Sequence, residues 1–80
     1  MASARKHTDE DGFVVVDPEI MDGLPTLRGT RVPVYVILEL IEEGHSFEDI
    51  LLEYPFLTRD QIRAAVHYAA ERVAASQASE

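Results

Sequence analysis

Ser46-Phe47-Glu48-Asp49-Ile50-Leu51-Leu52-Glu53-Tyr54-Pro55-Phe56-Leu57-Thr58-Arg59-Asp60-Gln61-Ile62-Arg63-Ala64-Ala65 reads as two helices across a tight turn. Ser46 is suited to cap the first, with Asp49 three residues on as a weak capping box. Phe47, Ile50 and Leu51 form an apolar face, and Tyr54 follows one turn after Ile50. Pro55 ends this helix, because the residue before a proline avoids the α region. Thr58 caps the next helix, and Gln61 completes a second capping box. Ile62, Ala65, Val66, Ala69 and Val73 form its expected buried stripe, whose alanines allow another helix to approach closely. This helix is expected to fray after about Ala75. A short helix, a turn of about four residues (54–57) and a longer capped helix make a helix-turn-helix pattern. Many trihelical modules share it and bind only protein.

Upstream, Pro33 has the fixed φ that suits the first turn of a helix. Val34, Ile37, Leu38 and Ile41 follow it at helical spacing, and Tyr35, Val36 and Leu40 widen the apolar arc. Such breadth predicts burial on more than one side. Gly44 is expected to close this helix as its C′ residue. Earlier still, Phe13-Val14-Val15-Val16 favours a strand. It does not alternate with polar residues, so two buried faces and a subunit interface are expected. Asp17-Pro18 ends it, Asp22-Gly23 and Pro25 mark a turn, and Thr26-Leu27-Arg28 forms a second extended piece. The fold predicted is therefore mainly α: a three-helix, helix-turn-helix domain over residues 13–75, preceded by a short two-stranded β arm. Residues 1–12 and 76–80 read as disordered tails.

The whole chain of 80 residues has room for one small domain. It contains no cysteine, which excludes a disulfide scaffold, a thiol nucleophile and a cysteine-ligated zinc site. Its longest apolar run, Val32–Leu38, is far below the roughly 20 residues of a membrane-spanning helix. The polar start argues against a signal peptide, and a cytoplasmic location is expected. The formal net charge is −8, which disfavours sequence-independent coating of nucleic acid. The charge is unevenly placed. Glu39, Glu42, Glu43, Glu48, Asp49 and Glu53 form an acidic middle without a Lys or Arg, while Arg28 and Arg31 precede it and Arg59, Arg63 and Arg72 follow. The acidic middle reads first as a solvated helix face, and alternatively as a surface that docks a basic partner.

Several segments resemble domain-of-unknown-function family number 433. They are Asp17-Pro18-Glu19-Ile20, Gly23-x-Pro25, Arg28-Gly29-Thr30-Arg31-Val32-Pro33-Val34, Gly44-x-Ser46-x-Glu48-Asp49-Ile50, Tyr54-Pro55-x-Leu57-Thr58 and Ile62-x-x-Ala65-x-x-Tyr68-Ala69. The resemblance covers about residues 13–73. It implies a homeodomain-like three-helix unit and a role as the antitoxin component of a toxin–antitoxin pair, with a PIN-like toxin as partner. Leu24 stands where many relatives have Lys, and Asp22 where many have Gly.

Arg59 and Arg63 share one helical face, which His67 continues. A recognition helix would present them, with Thr58 and Gln61, to phosphates or base edges of operator DNA. The competing reading pairs Arg63 with Asp60 or Glu71 on a solvated face. Two arginines per subunit make a thin footprint unless a dimer doubles it. Arg28 and Arg31 flank Gly29-Thr30 ahead of a helix N-terminus, where cations are electrostatically unfavourable. They either pair with Asp17, Glu19 or Asp22, or dock a carboxylate or phosphate. With the resemblance, residues Arg28, Gly29, Thr30 and Arg31 become the expected toxin-binding segment. His7, His45 and His67 lack metal-ligand spacing, so no metal or other cofactor is expected, and no catalytic constellation is found. The leading expectation is an antitoxin-like, homodimeric or higher-order protein that binds a PIN-like toxin and operator DNA. The alternative is a homo-oligomeric protein-interaction module without DNA binding; an enzyme is not expected.

Overall fold

A computed structural model describes residues 7–8 and 12–78. Its backbone runs as a three-stranded antiparallel sheet followed by three helices. The strands are β1 (His7–Thr8), β2 (Val14–Val16) and β3 (Thr26–Leu27), in spatial order β1-β2-β3. Val14 pairs with Leu27 and Val15 with Thr26, which is the expected arm; His7 opposite Val16 and Thr8 opposite Val15 add a third strand. The expected two-stranded arm is present as β2 with β3, and the free edge of β2 also takes up His7–Thr8, a short polar segment that shows no apolar periodicity of its own. Of the expected N-terminal tail, residues 1–6 and 9–11 lie outside the described residues, as do 79–80.

The helices are α1 (Val34–Glu42), α2 (Phe47–Glu53) and α3 (Arg59–Ala78). Each boundary has a local cause. Pro33 sits at the N-cap of α1 in extended conformation, one residue ahead of the helix. At the other end, Gly44 has φ +97°. Its N–H donates to the Ile41 carbonyl at 2.9 Å, and the His45 N–H to that of Leu40 at 3.0 Å. This is the paired Schellman closure that glycine at C′ permits. Ser46 and Asp49 form a complete capping box on α2, with bonds of 3.1 and 2.9 Å. Thr58 and Gln61 form the second on α3, at 2.9 and 3.1 Å. Tyr54, held before Pro55, leaves the helical region at φ −125° and ψ 75°.

The core is one cluster in which Val14, Leu27, Ile37, Ile50 and Ile62 are the most deeply enclosed large apolar side chains. It joins sheet, helices and turn, with Leu57 and Ala65 completing it. Val14 and Val15 are both buried within one chain, while Phe13 and Val16 are half-buried. One expectation about burial is corrected. On α3, Ile62 and Ala65 are buried as expected and Ala64 joins them, but Val66 and Val73 are exposed. For Val73 the reason is length. α3 has 20 residues against 9 in α1 and 7 in α2. It therefore extends about 30 Å and outlasts the elements it packs against. It also continues to Ala78, past the expected end near Ala75. Among the described residues, no helix is long and apolar enough to cross a membrane.

Candidate functional site

Residues 27–32 build a closed turn at the end of β3. Leu27 to Thr30 form a β-turn closed by the Thr30 N–H on the Leu27 carbonyl at 3.0 Å. Gly29 occupies its third position with φ +80°, a value that a type II turn requires and that glycine adopts without strain. The Thr30 hydroxyl donates to the Leu27 carbonyl at 2.7 Å and accepts the Val32 N–H at 3.0 Å. The Leu27 N–H reaches back to the Val32 carbonyl at 3.0 Å, and the Arg28 N–H to that of Phe13 at 2.8 Å. Leu27 and Val32 are buried beneath, while Arg28 and Arg31 are exposed. Neither arginine makes an ion pair with a described residue, so the expected partners Asp17, Glu19 and Asp22 do not hold them. Asp17 instead accepts the Glu19 N–H at 2.9 Å. Of the expected toxin-binding segment, Arg28 and Arg31 are thus the presented groups, Gly29 shapes the turn, and the Thr30 hydroxyl is spent inside it.

The expected DNA-contacting residues separate in a similar way. Thr58 and Gln61 use their side chains on each other's backbone as the cap of α3. Arg59 is bound to Glu48 on α2. Arg63 is exposed and has no ion-pair partner among the described residues; it lines a shallow hollow of about 230 Å³ with Phe13, Asp60, Ala64 and His67. Glu71, expected as a possible partner for Arg63, lies 3.3 Å from His67 instead. Of the expected stripe on α3, the one arginine left without an ion-pair partner among the described residues is therefore Arg63, with the Asp60 carboxylate beside it in the same hollow.

A second concave surface was not legible as a site from sequence. Leu24 and Pro25 of the arm, Tyr35 and Leu38 of α1, and Tyr68 and Val73 of α3 line an almost wholly apolar groove of about 290 Å³. Leu24 is 40% exposed, Tyr35 50% and Val73 60%. Arg72 lies at its edge with its guanidinium 5.8 Å from the Tyr68 ring centre, a cation–π contact. The sequence signal was present in the width of the apolar arc on α1, but that pattern reads equally as core.

Charge around these surfaces follows the sequence. Glu39, Glu42, Glu43, Glu48, Asp49 and Glu53 are all exposed on α1, α2 and their connection. The Ser46 backbone N–H and hydroxyl, helped by His45, hold the Asp49 carboxyl below the ordinary value of 3.8. Among the described residues, no cluster of three His, Asp or Glu side chains is placed to hold a metal ion.

Comparison with known proteins agrees with this architecture. The uncharacterized protein y4eO of Sinorhizobium fredii is 45% identical over 57 residues, which is 71% of this chain and 26% of that protein. The crystal structure of a DUF433 member protein from Anabaena variabilis superposes with a TM-score of 0.70 at 29% identity, over 74% of this chain and 58% of that one. The chain thus spans about a quarter of the length of the first relative and over half of the second. Residues 14–69, from the start of β2 to the middle of α3, match the family described as protein of unknown function (DUF433), and the chain belongs to that family.

Proposed function

We propose that the chain is an antitoxin-like protein that neutralises a PIN-like nuclease through its Arg28–Arg31 turn. One observation carries this reading: two arginines without ion-pair partners among the described residues project from a turn whose backbone is fixed by its own hydrogen bonds. A guanidinium on a rigid base loses little freedom on binding and matches a carboxylate bidentately. Nuclease sites that hold a metal with clustered carboxylates offer that chemistry. Arg28 or Arg31 enters the acidic cleft and takes the place of its cation. The test is co-expression with the PIN-like nuclease encoded alongside. Removing a buried, paired charge typically costs about 2–5 kcal/mol of binding. Arg28→Ala with Arg31→Ala is expected to weaken the complex to that extent and to restore nuclease activity at equal stoichiometry. A tight, inactive complex of the double variant overturns the assignment.

Operator binding is the second part of the proposal, through a homeodomain-like α2-turn-α3 unit. The free Arg63 supports it. The engagement of Arg59 with Glu48 and the net charge of −8 favour DNA binding by the complex with a basic toxin rather than by the free chain. The alternative is a homo-oligomeric interaction module without DNA binding, supported by the exposed apolar groove. Light scattering of the free chain, with promoter binding measured alongside, separates the two.

A further inference from the structure

The groove between α1 and α3 has chemistry that specifies an occupant. Its floor is apolar, formed by Leu24, Pro25, Tyr35, Leu38, Tyr68 and Val73. Glu39 and Glu42 do not line the groove, but on α1 Glu39 stands one helical turn from Tyr35 and Glu42 one turn from Leu38, so helical spacing sets each carboxylate on a face shared with a groove residue. Both glutamates are exposed and neither makes an ion pair with a described residue. Between Arg31 and Arg59 the chain contains no Lys or Arg to neutralise them. Among the described residues that line the groove, the one cation, Arg72, is over the Tyr68 ring. A trough walled by two helices, apolar below and anionic along one side, matches helix-in-groove recognition, where anchors at i, i+3 or i+4 and i+7 fill the floor.

We propose that this groove takes an amphipathic helix of the nuclease partner whose apolar face is flanked by Lys or Arg. This rests on the partner reading above and adds a second contact, distinct from the arginine turn. A second copy of the chain is the poorer occupant. It would bring another net charge of −8 and the same Glu39 and Glu42 carboxylates to a face whose Arg72 guanidinium is already engaged over Tyr68. A basic helix gains from those carboxylates instead, and a nuclease surface that holds RNA supplies basic residues.

The absence of cysteine makes the test direct, since one introduced thiol gives one attachment point. Val73→Cys and Tyr35→Cys, at exposed positions, are labelled with a benzophenone maleimide in the isolated chain, which is then mixed with the nuclease and irradiated. Leu52→Cys on α2 is the control. The cross-linked nuclease peptide is expected to be a helix with apolar residues at helical spacing and adjacent Lys or Arg, and the Leu52 label is expected to give no such product. Glu39→Lys with Glu42→Lys is expected to weaken the complex about tenfold at low salt, with the loss shrinking as salt is raised. Circular dichroism checks that each variant keeps the helical content of the parent chain. Cross-links to a second copy of the chain, or undiminished affinity of the glutamate variant with no groove cross-link, overturn the proposal while leaving the arginine turn standing. Failure of the unaltered chain to bind the nuclease at all removes both.

Discussion

Arg59, at the first turn of α3, is bound to Glu48 in the first turn of α2. The pair ties α2 to α3 and removes one of the two arginines that a recognition helix would use. Both side chains are more than half exposed, so the pair contributes only about 0–1 kcal/mol to stability. Its consequence is for recognition. If α3 meets DNA, Arg63→Glu is expected to reduce promoter binding more than Arg59→Glu does. Glu48→Gln, which frees Arg59, is expected to raise it. Electrophoretic mobility shifts of the complex at several salt concentrations check the order, and equal losses for the two arginine variants contradict it.

The arginine turn should be separable from its scaffold. Thr30→Val keeps the shape of the side chain but removes the hydroxyl that serves Leu27 and Val32. Leaving part-buried groups unpaired costs about 1–3 kcal/mol. Thermal unfolding should register that loss. If the turn docks the proposed partner, the same variant should weaken that binding although Thr30 need not touch the partner. Arg28→Ala, by contrast, is expected to alter binding with little change in unfolding.

Met21 and Asp22 both adopt left-handed backbone, with φ +53° and +59°. For a residue with a Cβ this conformation costs about 1–2 kcal/mol, and Asp tolerates it better than most. Asp22→Gly relieves the strain and is expected to stabilise the chain by about 0.5 kcal/mol after the added freedom of the unfolded chain is counted. A rise in unfolding midpoint checks this, and a fall contradicts it. The position is exposed, so the gain should leave the arginine turn unaffected.

The caps were the most legible part of the fold. Ser46 with Asp49, Thr58 with Gln61, and Gly44 are local signals, and each ends or begins a helix where the sequence places it. Burial was less legible, because it depends on what lies opposite. Val73 has the spacing of Ile62 and Ala65 but projects beyond the elements that cover them. Val15 is enclosed in the same chain because a third strand pairs beside it, a pairing that His7-Thr8 gives no apolar pattern to announce. In the candidate site, the residue types at Arg28, Arg31 and Arg63 are visible in sequence. Which arginine is already paired is decided by the α2–α3 crossing, and Arg59 is the one that meets Glu48.

Asp49 gives α2 a dependence on pH with a definite sign. Its carboxylate accepts the Ser46 N–H at 2.9 Å while its own N–H donates to the Ser46 hydroxyl at 3.1 Å. The Ser46 N–H, and after it the Ser46 hydroxyl, favour the charged form of the carboxyl and lower the folded-state value below the 3.8 of the free side chain. The unfolded chain therefore binds the proton first as pH falls, and stability falls with it. The contribution is fully present above the unfolded value and is lost as pH drops through the lower, folded one. Unfolding midpoints of the parent chain and Asp49→Ala should differ by a constant amount from neutral pH down to about pH 5 and converge below 3.8. Ser46→Ala removes the hydroxyl but keeps the backbone N–H, the larger cause of the shift, so it should reduce the pH dependence without abolishing it. A difference between parent and Asp49→Ala that widens on acidification would mean that the carboxyl is held in its neutral form, contrary to the capping geometry.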